Sequence, residues 1–92
     1  MATYMRFVTI CQSCAMPMRK PDDFGTEANG RLNQEYCTHC FRDGVFTDPD
    51  MTLEQMTEVV AGIIKTEMGL PEASARGAAQ ASLLGLRRWQ KY

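Results

Sequence analysis

Two periods divide the chain near residue 47. Between Thr3 and Ile10, β-branched and aromatic residues partly alternate. Tyr4, Arg6, Val8 and Ile10 fall on one side and Met5, Phe7 and Thr9 on the other, which predicts a short strand feeding Cys11. Pro17 opposes helix at Met16-Pro17-Met18, and the polar, Pro-containing Arg19–Asp23 reads as loop. Asn29-Gly30 is a hairpin turn signal, because both residues tolerate positive φ, and its second strand runs towards Tyr36 and Cys37. Asp43-Gly44 predicts a second tight turn, returning the chain through Phe46.

After the breakers Thr47-Asp48-Pro49-Asp50 the spacing becomes helical. Thr52 and Gln55 form a capping-box pattern. Leu53, Met56, Val59, Val60, Ile63, Ile64 and Met68 recur at three and four, and Gly69 is placed as the stop. Pro71 suits the first turn of another helix, with a narrower stripe of Ala75, Ala78, Ala79, Ser82, Leu83, Leu86 and Trp89 or Gln90. Arg87, Arg88 and Lys91 then sit where cations favour a helix end, which reads as a solvated terminus. The short connection predicts an antiparallel helical hairpin.

All four cysteines lie in the first half, as Cys11-Gln12-Ser13-Cys14 and Cys37-Thr38-His39-Cys40 with 22 residues between the pairs. Two C-x-x-C pairs match a tetrahedral all-thiolate metal site: each pair clamps one edge from a tight turn. Four thiolates leave no open position, and Zn²⁺, with no redox chemistry, is the first expectation, iron the second. His39 lies inside a pair that already supplies two sulfurs and is expected exposed at the tip. Tyr36, Phe41 and Phe46 bracket the second pair and are expected to keep water from the metal. Met16 and Met18 are expected as packing over the site; copper(I) chemistry is a weaker reading.

The chain has 92 residues and a formal charge of −1. Four thiolates and one Zn²⁺ add −2, bringing the loaded chain to about −3. That balance disfavours tight nonspecific binding to phosphates. A small core needs a staple, and a structural zinc supplies about 10–16 kcal/mol of apparent binding energy. No export signal or membrane-spanning run is apparent, so a reducing cytoplasm and a metal site are expected rather than two disulfides. There is no nucleophile–base pattern and no phosphate loop, and no enzyme is expected.

Four stretches resemble a family of small, mostly bacterial zinc ribbon proteins. They are Cys11-Gln12-Ser13-Cys14-x-Met16-Pro17-Met18, Gly25-Thr26-x-Ala28-x-Gly30, Tyr36-Cys37-x-x-Cys40-Phe41-x-Asp43-Gly44-x-Phe46 and Met51-Thr52-x-Glu54-x-Met56. The likeness covers about residues 11–60 and is weaker beyond. It implies a zinc site on Cys11, Cys14, Cys37 and Cys40. Ala15 departs from the pattern, standing where such knuckles usually carry glycine. The expected fold is α+β: a four-cysteine zinc ribbon of short antiparallel strands over residues 1–46, then a two-helix hairpin over 47–92, whose packing on the ribbon is open.

The leading functional expectation is a protein-interaction module held by structural zinc, with regulation as one form of it. The alternatives are a nucleic-acid-binding ribbon using Arg31, Arg42, Arg87, Arg88 and Lys91, and a rubredoxin-like iron electron carrier. A lesser reading is a redox switch, in which oxidised thiolates release zinc.

Overall fold

A computed structural model describes residues 8–90. Its first half is three separate antiparallel strand pairs. β1 (Thr9–Ile10) pairs with β2 (Pro17–Met18), with Thr9 opposite Met18. β3 (Phe24–Thr26) pairs with β4 (Leu32–Cys37) through an irregular register, Phe24 facing Cys37 and Thr26 facing Leu32. β5 (Phe41–Arg42) pairs with β6 (Val45–Phe46). Of the strand expected from residue 3, only Thr9–Ile10 is a strand among the described residues; residues 3–7 lie outside them.

The two predicted turns differ. Asp43 and Gly44 have φ of 54° and 84°, the conformation a two-residue hairpin requires. The Asn29-Gly30 loop is longer than a two-residue turn. Gly30 alone has positive φ, at 88°, and donates its N–H to Glu27 O, while Glu27 N–H donates to Arg31 O. The Asn29 side chain accepts from Arg31 N–H, so asparagine here serves as a side-chain turn rather than as a left-handed residue.

Gly25 is buried where β3 passes β5. A Cβ there would collide with the Phe41 carbonyl oxygen and lie 3.1 Å from Cys37 O. Both obstacles are backbone and cannot rotate away. Gly25→Ala is therefore expected to cost about 2–3 kcal/mol, measured by denaturant unfolding of the metal-loaded chain; a loss below about 0.5 kcal/mol would show that the strands part freely.

The second half follows the helical spacing up to a point. α1 (Leu53–Met68) starts on the Thr52/Gln55 capping box and stops at Gly69, which has φ 67° and caps onto Lys65 O. α2 (Glu72–Leu83) follows a three-residue link, with Pro71 at its N-cap rather than inside its first turn. The helices pack through Val60 and Ala61 against Ala75, Ala79 and Leu83, all buried. Thr57 is buried there too, its hydroxyl donating to Leu53 O. Val59, Ile63 and Met68, expected on the core face, are 47%, 55% and 68% exposed. The apolar stripe of α1 is wider than α2 can cover.

The second helix does not continue to Trp89. It ends at Leu83, and residues Arg87–Trp89 form a single 3₁₀ turn. The tail turns back because its donors find acceptors on the cysteine half. Arg87 N–H reaches Gln12 Oε1 at 3.0 Å, Arg88 N–H reaches Gln12 O at 3.1 Å, and Trp89 Nε1–H reaches Ser13 O at 2.7 Å. No described helix is long and apolar enough to cross a membrane.

Candidate metal centre

Cys11 and Cys14 sit on the turn that joins β1 to β2. Cys11 N–H donates to Met16 O and Ala15 N–H to Cys11 O, each at 2.9 Å, closing the first knuckle. Cys37 ends β4, and Cys40 N–H donates to Cys37 O at 3.0 Å, closing the second. Two bonds hold the knuckles in place: Gln12 N–H to Glu35 O at 2.7 Å and Thr38 N–H to Asp23 O at 2.9 Å. Asp23 Oδ2 in turn accepts from the N–H groups of Arg19 and Lys20, which holds its carboxyl below the usual range.

The four Sγ atoms lie within 4.8 Å of one another. Zinc–sulfur bonds of about 2.3 Å would make a tetrahedron with edges of about 3.8 Å. Cys14 Sγ and Cys37 Sγ are 3.7 Å apart, close to that edge and far beyond a disulfide bond of about 2.05 Å. All four thiols are free, so the disulfide arrangement is excluded. Cys11, Cys37 and Cys40 are buried, whereas Cys14 is partly buried.

The electrostatics favour a cation at the centre. Hydrogen bonds from Cys14, Cys37 and Cys40 push the Cys11 thiol far down, and Cys11 Sγ also accepts from Ser13 N–H and Cys37 N–H at 3.4 and 3.2 Å. Sharing its proton with Cys11, and then with Cys37 and Cys40, pushes Cys14 up. On protons alone the cluster ionises unevenly, because neighbouring thiolates repel; a divalent ion lets all four ionise together. The donor set fits a metal ion.

His39 is exposed, as expected, and its carbonyl accepts from the Thr47 hydroxyl at 2.7 Å. Tyr36, Phe41 and Phe46 form a ring cluster, with centroids 4.9–5.4 Å apart, beside the second knuckle. Met18 is buried and Met16 packs against the core.

Ser13 and Arg88 were not singled out as partners by their positions in the sequence, 75 residues apart. Ser13 is fully buried in the first knuckle. Arg88 Nη1–H donates to its Oγ at 3.0 Å and Nη2–H to Asp48 O at 2.7 Å, while the guanidinium lies 4.0 Å from the Phe46 ring centre. A polar residue between two cysteine ligand candidates was the sole sequence signal.

Ala15 has φ 68°, the conformation glycine usually supplies after such a knuckle. The left-handed region costs an L-residue about 1–2 kcal/mol, partly offset by the extra freedom glycine has when unfolded. Ala15→Gly is expected to stabilise the loaded chain by about 0.5–1 kcal/mol in denaturant titration; a destabilisation would mean the methyl group contributes packing that outweighs the strain.

Short paired strands around two cysteine knuckles define a four-cysteine zinc ribbon, followed by two packed helices. The sequence model of the family described as "Putative zinc ribbon domain" matches residues 10–90, and the chain belongs to that family. Membership extends the likeness through the helical tail and implies that the ion is zinc. No curated protein and no solved structure matches the chain.

Proposed function

We infer that Cys11, Cys14, Cys37 and Cys40 bind one structural Zn²⁺, and that the chain is a non-catalytic protein-interaction module working in a reducing compartment such as the cytoplasm. The observation that carries this reading is the meeting of four free sulfurs within 4.8 Å, two from each knuckle. Such a shell is closed to substrate, so the metal's role is to hold shape. Free thiols at this separation suit a compartment that keeps them reduced.

The interaction part is supported by Val59, Ile63 and Met68, which leave an apolar face of α1 uncovered. The nucleic-acid alternative is weakened because Arg88 is committed to Ser13, Asp48 and Phe46. Lys91 lies outside the described residues.

Elemental analysis of the purified protein tests the metal: one zinc per chain in a colourless solution is expected, and stoichiometric iron with visible thiolate absorption would replace this reading with the electron carrier. Crosslinking and affinity capture test the role. Capture of a defined protein that is lost on zinc removal and in Met68→Glu supports the module. A salt-sensitive shift of nucleic acid, or turnover of a small molecule, would overturn it.

A further inference from the structure

The four sulfurs are not equivalent. Cys11 and Cys37 are 0% exposed and Cys40 is 7% exposed. Cys11 Sγ is further quietened by two backbone N–H donors. Cys14 is the one of the four that is only partly buried. An N–H···S bond withdraws electron density from a thiolate, which makes Cys11 the poorest nucleophile of the four; Cys14 differs from Cys37 and Cys40 in being less covered.

Cys14 also opens onto a cleft of about 820 Å³ between the first knuckle and α1. Met16, Met56, Val59 and Ile63 contribute to its apolar lining, with His39 at the knuckle side. Cys40 touches the same cleft but is covered. Walls of this composition concentrate neutral, apolar molecules and disfavour ions.

We propose that Cys14 is a modification site, reached through this cleft in the partner-free chain by apolar organic hydroperoxides, and that its oxidation opens the metal site. The inference rests on the metal-binding reading above. The Cys14 thiolate attacks the terminal peroxide oxygen. A sulfur–oxygen bond forms, the O–O bond breaks, and the alkoxide takes a proton from water and leaves as the alcohol. Sulfur loses two electrons and the peroxide gains them. The Cys37 thiolate, 3.7 Å away, then attacks the sulfenic sulfur. A disulfide forms, the sulfur–oxygen bond breaks, and the departing oxygen leaves as water after protonation. Two ligands are lost together and the zinc is released.

The test uses the zinc-loaded full chain with cumene hydroperoxide or hydrogen peroxide, following zinc release with a chromogenic chelator and mapping cysteines by mass spectrometry. Cys14 is expected to be oxidised first, as sulfenate trapped by dimedone, with a Cys14–Cys37 crosslink accumulating as zinc appears. Ile63→Glu places a charge on the cleft wall at a position already 55% exposed, so the fold is retained. It is expected to slow the cumene hydroperoxide reaction about tenfold and to change the hydrogen peroxide rate by less than about twofold. First oxidation at Cys11, Cys37 or Cys40, even oxidation of all four, or native reactivity in Ile63→Glu overturns the proposal. Zinc content measured beforehand separates the two readings. One zinc with oxidation elsewhere leaves the structural site standing, whereas a chain without zinc removes both.

Discussion

Stripping the metal from the loaded chain is expected to unfold the ribbon and shift the emission of Trp89 to longer wavelength. The reason is how little else holds the first half. Its strands form three pairs rather than one sheet, and β1–β2 and β5–β6 are two residues a side. An isolated two-stranded hairpin is marginal at best in water. Among the described residues, the buried apolar side chains of this half are Cys11, Met18, Cys37 and Cys40, so three of those four are the cysteines themselves. A structural zinc contributes about 10–16 kcal/mol, against a net domain stability of about 5–15 kcal/mol. Loss of the ion therefore exceeds what the remaining contacts can absorb.

Trp89 is a suitable reporter, since it is the one tryptophan in the chain and its Nε1–H binds Ser13 O inside the first knuckle. Chelation should release that bond, and adding Zn²⁺ back under reducing conditions should restore the original emission. Cys37→Ser should resemble the stripped chain even with zinc present, because one hydroxyl cannot replace a thiolate at a four-sulfur site. Emission that stays put after the metal is shown to be gone would mean that strand pairing and the tail suffice, and the structural role would fall.

The four-cysteine cluster and both ends of α1 were legible in the sequence because each depends on local chemistry. C-x-x-C spacing, the Thr52/Gln55 cap and the Gly69 stop operate within a few residues. Asp43-Gly44 was legible for the same reason, and Asn29-Gly30 marked the β3–β4 hairpin, although the turn is longer and the Asn29 side chain accepts from Arg31 N–H in place of a positive φ at Asn29. The exposed half of the α1 stripe could not be foreseen from period alone. Periodicity says which residues share a face, and the breadth of the opposing surface decides how many are covered. Ala75 and Ala79 make α2 a narrow partner, and Val59 and Ile63 fall outside it. The early end of α2 was the least legible feature. Residues 84–90 carry helical spacing, but their backbone and side-chain donors are claimed by Gln12 and Ser13, which no local pattern announces.

Arg88→Ala is expected to destabilise the zinc-loaded chain by about 2–4 kcal/mol. Three losses add up. The guanidinium gives up charge-assisted bonds to Ser13 Oγ and Asp48 O, and its contact with the Phe46 ring disappears. Ser13 is 0% exposed, so its hydroxyl is left without the Arg88 donor and without water to replace it. Arg88→Lys should recover little, because one ammonium cannot reach Ser13 and Asp48 in a fork while also sitting over the Phe46 ring. Arg87 is the internal control. Its side chain is 66% exposed and meets Glu35 at 3.6 Å, an ion pair that solvent screens, so Arg87→Ala should cost no more than about 0.5 kcal/mol. Denaturant titrations of the two variants separate a clasp from a solvated basic end. If Arg88 binds the ribbon as described, the adjacent arginines differ several-fold in cost, and Arg88→Ala also lowers the denaturant concentration at which zinc is released. Equal, small effects would return the tail to a solvent-exposed helix end and remove the link between the C-terminal turn and the first knuckle.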